Sequence, residues 1–301
     1  MEYRKAMEKF QDYMEYVRNL SRNTVEAYIR DLKNYEKFVC KEKLDYKEVS
    51  RRDIEKYMQS LSRGEVTSRR LSPSSIARNL SSISTFYTFL HLSNIVQTIP
   101  TEMVRTPKRG KSLPEYVSHE DIQKLINSFP DTNLGKRNKA IVALMYYCGL
   151  RVSEVTSLKI RDIELYSEPL IQIRSGKGNK DRIVPLSKRA EQLINEYMEI
   201  RESFNNSERL EELFVGIRGE RVSRKSIHKM ITNHANKVFP GRHITPHVLR
   251  HSCATHLLQR GASVKVVQEI LGHSNVSTTS IYLHITDKEK RKAVKLLSDT
   301  E

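Results

Sequence analysis

No stretch of this 301-residue sequence approaches the roughly 18 consecutive apolar residues of a membrane-spanning helix. Met1–Glu8 mixes charges of both signs and has no apolar core, so a secretory signal peptide is not expected. Cysteine is scarce: Cys40, Cys148 and Cys253 are far apart and odd in number, which argues against a disulfide framework. Cys148 and Cys253 lie within apolar helical patterns and read as buried free thiols, as suits a reducing cytoplasm. Internal repeats and low-complexity tracts are missing. So is the G-x-x-x-x-G-K-[ST] spacing of a Walker-type phosphate loop. His247 and His251 are four apart, yet no H-E-x-x-H pattern and no third ligand accompany them, so neither metal nor cofactor is expected.

What the sequence has is positive charge. Fifty-two Lys and Arg face thirty-six Asp and Glu, for a net +16. Such an excess points to a polyanionic partner, with nucleic acid first and an anionic membrane surface second. Apolar residues at 38% and charged residues at 29% suit a globular chain, and the length suits two domains.

Residues 1–104 read as a bundle of helices. Ser21-Arg-Asn-Thr24 offers caps for a helix with apolar Val25, Tyr28, Ile29, Leu32, Tyr35, Phe38 and Val39. Ser72-Pro73 starts another, with a stripe of Ile76, Leu80, Ile83, Tyr87 and Leu90. Between them Arg51, Arg52, Arg69 and Arg70 read either as a solvated face or as phosphate contacts. Residues 105–114 carry two prolines, a glycine and four positive charges, which makes a basic linker. A basic linker between basic domains suggests a clamp around a duplex. Residues 115–301 open with helices, one over 137–148 capped by Gly149 and one from about Ser153 with Val155 and Leu158 inward. The period then changes. Leu170–Arg174 and Arg182–Pro185 alternate as strands around the turn Ser175–Asp181, a β-hairpin in a helical domain. Leu213-Phe-Val215 reads as a further short strand. The fold class is therefore mainly α with a small antiparallel sheet in the C-terminal domain.

Six residues stand at pinned positions. Arg151 follows a glycine cap and precedes Ser153, read as an N-cap; near a helix N-terminus it suits an anion, or it pairs with Glu154 on the surface. Lys177, flanked by Gly176 and Gly178, can reach into a groove and exchange a proton, or simply sits at an exposed tip. Thr245-Pro246 starts a helix that places His247 and Arg250 three apart, on one face. Ser263 starts a helix with Val264, Val267, Ile270 and Leu271 inward; Gly272 ends it and sets His273 at a turn. Tyr282 follows nine residues later. Each alone has a bland structural reading. Together, two arginines, a lysine, two histidines and a tyrosine are what metal-free phosphoryl transfer requires. A phenol, with a pKa of ~10, is a weak nucleophile that arginine forks can assist. The leaving oxygen needs a proton donor. A covalent intermediate conserves the bond energy, so rejoining needs no ATP.

Gly149-Leu-Arg-Val-Ser-Glu-Val155, Gly176-Lys-Gly-Asn-Lys180, His247-Val-Leu-Arg-His251, Leu271-Gly-His273 and Ser277-Thr-Thr-Ser-Ile-Tyr282 stand in the order and spacing of the tyrosine recombinase signature. The chain resembles that family, and Leu249–Leu258 resembles its Xer branch. The likeness is strong over residues 113–290 and weak over 1–104. It implies a core-binding clamp of four or five helices (1–104), a linker (105–114), and a catalytic domain with a C-terminal tail helix (115–301). It implies Tyr282 as nucleophile, Arg151, Arg250 and His273 on the scissile phosphate, Lys177 as donor to the leaving 5′ oxygen, and His247 as acid–base group. The implied function is site-specific recombination of double-stranded DNA through a 3′-phosphotyrosine, with Xer-like resolution of chromosome or plasmid dimers. The implied place is the cytoplasm, on the nucleoid. The implied assembly is a homo- or hetero-tetramer on two DNA sites, with a paralogous recombinase or a DNA translocase as possible partners. The tail, with Ala293, Val294, Leu296 and Leu297, would dock into a neighbouring protomer; the other reading is a frayed terminal helix. Three alternatives remain: a phage or mobile-element integrase, a type IB topoisomerase, and a DNA-binding regulator without catalysis. A start almost directly at the clamp disfavours an integrase with an arm-binding domain. The unbroken set of six residues disfavours the regulator.

Overall fold

The computed structural model describes residues 2–105, 116–166, 168–174, 181–205, 207–272 and 287–297. The chain divides into two compact units, Met1–Ser112 and Leu113–Glu301, each with its own hydrophobic core.

Among the described residues, the first unit holds four α-helices: α1 (Tyr3–Asp12), α2 (Arg22–Lys41), α3 (Arg51–Arg63) and α4 (Pro73–Leu92). A π-helical turn, Tyr13–Val17, continues α1. The caps of α2 and α4 are those read from the sequence, with Ser21 accepting from the Thr24 N–H and Ser72 from the Ser75 N–H. The apolar stripes bury Val25, Leu32, Tyr35 and Phe38 against Ile76, Leu80, Ile83 and Tyr87. Helix α3 turns the basic stretch at 51–52 into a first turn. Ser50 and Asp53 form a reciprocal capping box there, and Arg51 pairs with Glu55 at 2.8 Å.

The second unit comprises α5 (His119–Asn127), α6 (Asn133–Tyr147), α7 (Val152–Ser157), strands β1 (Ile163–Glu164), β2 (Leu170–Ile173) and β3 (Arg182–Pro185), α8 (Lys188–Arg201), α9 (Arg224–Val238), α10 (Pro246–Gln259), α11 (Val264–Leu271) and α12 (Asp287–Lys295). Helix α6 is fully buried along most of its length and packs on α8 and α10. The sheet runs β1-β2-β3, all antiparallel. Its register sets Ile171 opposite both Ile163 and Val184, and Ile173 opposite Arg182.

Four local expectations need correction. Helix α6 starts at Asn133 rather than near 137, because Thr132 caps it and the polar Arg137 and Asn138 are buried inside it. Helix α7 begins at Val152, so Arg151 is the N-cap residue and Ser153 lies within the helix. Leu213, Phe214 and Val215 are buried but form no strand; isolated bridges, Lys159 to Glu212 and Val215 to Arg221, hold the segment. On α11, Val264 faces out at 61% exposure and Val266 takes the buried place.

Helix α12 packs on β3 and α11 of its own unit, burying Ala293, Val294 and Leu297. Arg260 donates to the Leu296 carbonyl and Lys290 pairs with Glu269 at 3.7 Å. Among the described residues, no helix is long and apolar enough to cross a membrane. Cys148 and Cys253 are buried free thiols, as expected from the sequence, and Cys40 is exposed.

Candidate functional site

Helix α6 ends at Tyr147, and the chain reverses through Gly149 at φ +60°, a left-handed conformation that favours glycine. A Cβ at this position would collide with Leu271 Cδ2 and stand 3.3 Å from Cys253 Sγ. The turn is thus pressed directly against α11 and α10. Its carbonyl accepts from Arg250 Nη1. Two residues on, Arg151 opens α7.

Glu154, at the third position of α7, lies at the centre of the site. Its Oε2 accepts the Arg151 backbone N–H at 2.7 Å, the return half of a capping box. Its Oε1 accepts from Arg151 Nη1 at 3.0 Å. Arg182, from the start of β3, grips both oxygens in a fork at 2.9 Å each. Arg250 Nη1 stands 3.8 Å from Oε2. One carboxylate therefore serves three guanidinium groups.

The other anchor is the C-terminal end of α11. Helix C-termini leave carbonyls without intrahelical donors and carry a partial negative charge. Here three consecutive carbonyls each receive one arginine: Ile270 from Arg182 Nε at 2.8 Å, Leu271 from Arg250 Nη2 at 2.5 Å, and Gly272 from Arg151 Nη2 at 2.8 Å. Gly272 itself, at φ +62°, leaves no room for a side chain, since a Cβ would sit 2.9 Å from Arg182 Nη1.

Burial sorts the members. The side chains of Arg182, Glu154 and Arg250 are 8%, 10% and 8% exposed, whereas Arg151 is 34% exposed. Burial pushes the Glu154 carboxyl up, but the Arg182 fork, the Arg182 charge, the Arg151 N–H and the Arg250 charge outweigh it and hold the group below its ordinary value. Arg250 is pulled down to about 10, first by burial and then by the charge of Arg151. Glu154 and Arg250 are therefore both charged near neutral pH. Three cations against one anion leave an excess of positive charge with Arg151 at the solvent edge, an arrangement that suits an anion such as a phosphate.

The structure brings Arg151 and Arg250 together across 99 positions of chain. His247 lies on the first turn of α10, whose N-cap is Thr245, and is exposed to solvent. Lys177, His273 and Tyr282 lie outside the described residues, as does most of the basic linker. Two side chains of this cluster are not singled out as site residues by the sequence. Glu154 was legible only as a surface partner of Arg151, and Arg182 only as a strand residue. A signal for Arg182 did exist: strand alternation puts it on the same face as buried Val184, and a cation on a buried face needs a partner.

The phage integrase family matches over residues 115–289, and the phage integrase N-terminal SAM-like domain over 7–94. A tyrosine recombinase of Thermosipho africanus is 34% identical over 294 residues, covering 97% of this chain and 99% of the relative. Tyrosine recombinase XerD of Oceanobacillus iheyensis is 37% identical over 285 residues, covering 93% of this chain and 94% of the relative. The crystal structure of XerA recombinase superposes with a TM-score of 0.51 at 31% identity, over 97% of both chains. XerH bound to palindromic difH, in its post-cleavage complex, shares the fold with a TM-score of 0.68 at 22% identity, over 89% of this chain and 77% of that one. With matches that run the length of both units, this chain belongs to the phage integrase family and is within it a Xer-like tyrosine recombinase, an enzyme of site-specific DNA recombination.

Proposed function

We propose that the chain cuts and rejoins duplex DNA through a 3′-phosphotyrosine at Tyr282, in Xer-like resolution of chromosome or plasmid dimers. The observation that carries this reading is the meeting of Arg151 and Arg250 at Glu154 and the end of α11, two residues before His273. In this mechanism the Tyr282 phenol oxygen attacks the scissile phosphorus. The P–O5′ bond breaks as the O–P bond to tyrosine forms. The phenol proton passes to His247, and the 5′ oxygen takes a proton from Lys177. Arg151 and Arg250, with His273, hold the non-bridging oxygens and stabilise the charge that builds on them. Rejoining is the same path reversed, with the 5′ hydroxyl of another strand as nucleophile, so no ATP is consumed. Roles for Lys177, His273 and Tyr282 rest on their motifs, Gly176–Lys180, Leu271–His273 and Ser277–Tyr282.

Residues 1–104 would act as the clamp on the duplex, 105–114 as the basic linker, and 115–301 as the catalytic domain. Assembly would be a tetramer on two sites, working with itself or with a paralogue, and its site of action the nucleoid. XerH bound to difH and the lambda integrase dimer on its core site are DNA complexes of the same fold. The test is a panel of nicked suicide duplexes tiled across candidate recombination sites, mixed with protein without metal or ATP and run on a denaturing gel. A covalent adduct from the unaltered chain, absent with Tyr282→Phe, is expected. No adduct on a duplex that the protein demonstrably binds would count against catalysis and for a regulator.

A further inference from the structure

We propose that Arg182 is a positioning residue of the recombination site: it locks Glu154 and the last turn of α11 into one frame, and through that frame fixes Arg151 and Arg250 for the phosphate. The inference rests on the function proposed above and adds a residue to its machinery.

The geometry points to Arg182 in three ways. First, its guanidinium is fully committed to two other segments, with Nη1 and Nη2 on the two oxygens of Glu154 and Nε on the Ile270 carbonyl. It has turned away from solvent and does not reach for a ligand itself. Second, those segments are the ones that hold the phosphate arginines. Glu154 takes both the backbone and the side chain of Arg151, and the carbonyls following Ile270 take Arg250 and Arg151. Third, Arg182 is built in tightly. It is 8% exposed, and Gly272 has no room for a Cβ beside its guanidinium. It also starts β3, so it joins the sheet to two helices whose partners are 28 and 88 residues away in the chain. Without Arg182, Glu154 would lose the fork that fixes its plane and the charge that most opposes its burial. Arg151 and Arg250, like charges at close quarters, would then settle where repulsion rather than the phosphate placed them.

Lysine at this position keeps the charge but cannot form the fork and reach Ile270 together. With the duplex that yields adduct, Arg182→Lys is expected to lower the first-order rate of adduct formation at saturating DNA by on the order of 10²-fold, while the dissociation constant for DNA stays within about twofold. A merely structural role would weaken binding and cleavage together. A cycle of Arg182→Lys, Glu154→Gln and the double variant gives a second measure. Positioning through Glu154 requires the double variant to be no slower than the slower single one. Adduct formation by Arg182→Lys at the unaltered rate, or effects that multiply in the double variant, would overturn the inference while leaving the recombinase reading intact. Absence of adduct from the unaltered chain on every duplex it binds would overturn that reading and this inference with it.

Discussion

At the scale of single residues, the second unit contains a titratable network apart from the arginine site. The Tyr146 hydroxyl lies 2.9 Å from His119 Nδ1 and 2.8 Å from His256 Nδ1. Burial, then the charges of His119 and Arg260, pull His256 from 6.5 down to about 4, with Glu120 opposing weakly. His119 is lowered too, mainly by burial. An unfolded chain would bind protons on these rings near their ordinary value while the folded chain does not. Stability is therefore present above about pH 6.5 and falls as the pH drops toward 4. A melting temperature that declines over this window is expected, with a shallower decline in His256→Asn; equal slopes in the two proteins would contradict the assignment. Neither this network nor the Arg182–Glu154 fork was visible in the sequence. Periodicity sorts residues by polarity, and a buried charge makes sense only beside a partner that the sequence leaves unspecified.

Among elements, legibility followed the caps. Helices α2 and α4 combine a serine N-cap with an unbroken stripe and were read within a residue or two. The first turn of α6 is hidden in the sequence because buried Arg137, donating to the Val215 carbonyl at 2.9 Å, breaks the apolar pattern. Val264 is apolar and so reads as inward, yet the first turn of α11 turns it to solvent. The junction of α6, α7 and α11 was better read, since Gly149 and Gly272 both take the left-handed conformation that ends a helix. Gly149→Ala tests that junction. It adds a left-handed strain of roughly 1–2 kcal/mol and an overpacking cost of typically 1–3 kcal/mol against Leu271. Expected results are a lower midpoint in urea and slower adduct formation, because Leu271 also carries a carbonyl that holds Arg250. A midpoint unchanged from the unaltered chain would show that the turn has slack.

At the scale of the whole molecule, two separate cores sit under a net charge of +16. The tail completes one of them, for Val294 and Leu297 are buried in the second unit. Deleting 287–301 should lower the melting temperature of the lone chain, since each buried Val or Leu contributes about 1.5–3 kcal/mol. If the tail also exchanges between protomers, the same deletion should abolish cooperative occupation of paired sites in a gel-shift titration. Unchanged cooperativity would refute the exchange and leave the tail a structural part of its own chain. The arginine cluster carries a further consequence at this scale. Three like charges gathered on one carboxylate and one helix end leave an excess of positive charge within the fold. On the proposed reading a phosphate of the DNA backbone would balance that excess, so the substrate would act as a counterion within the fold as well as the object cut.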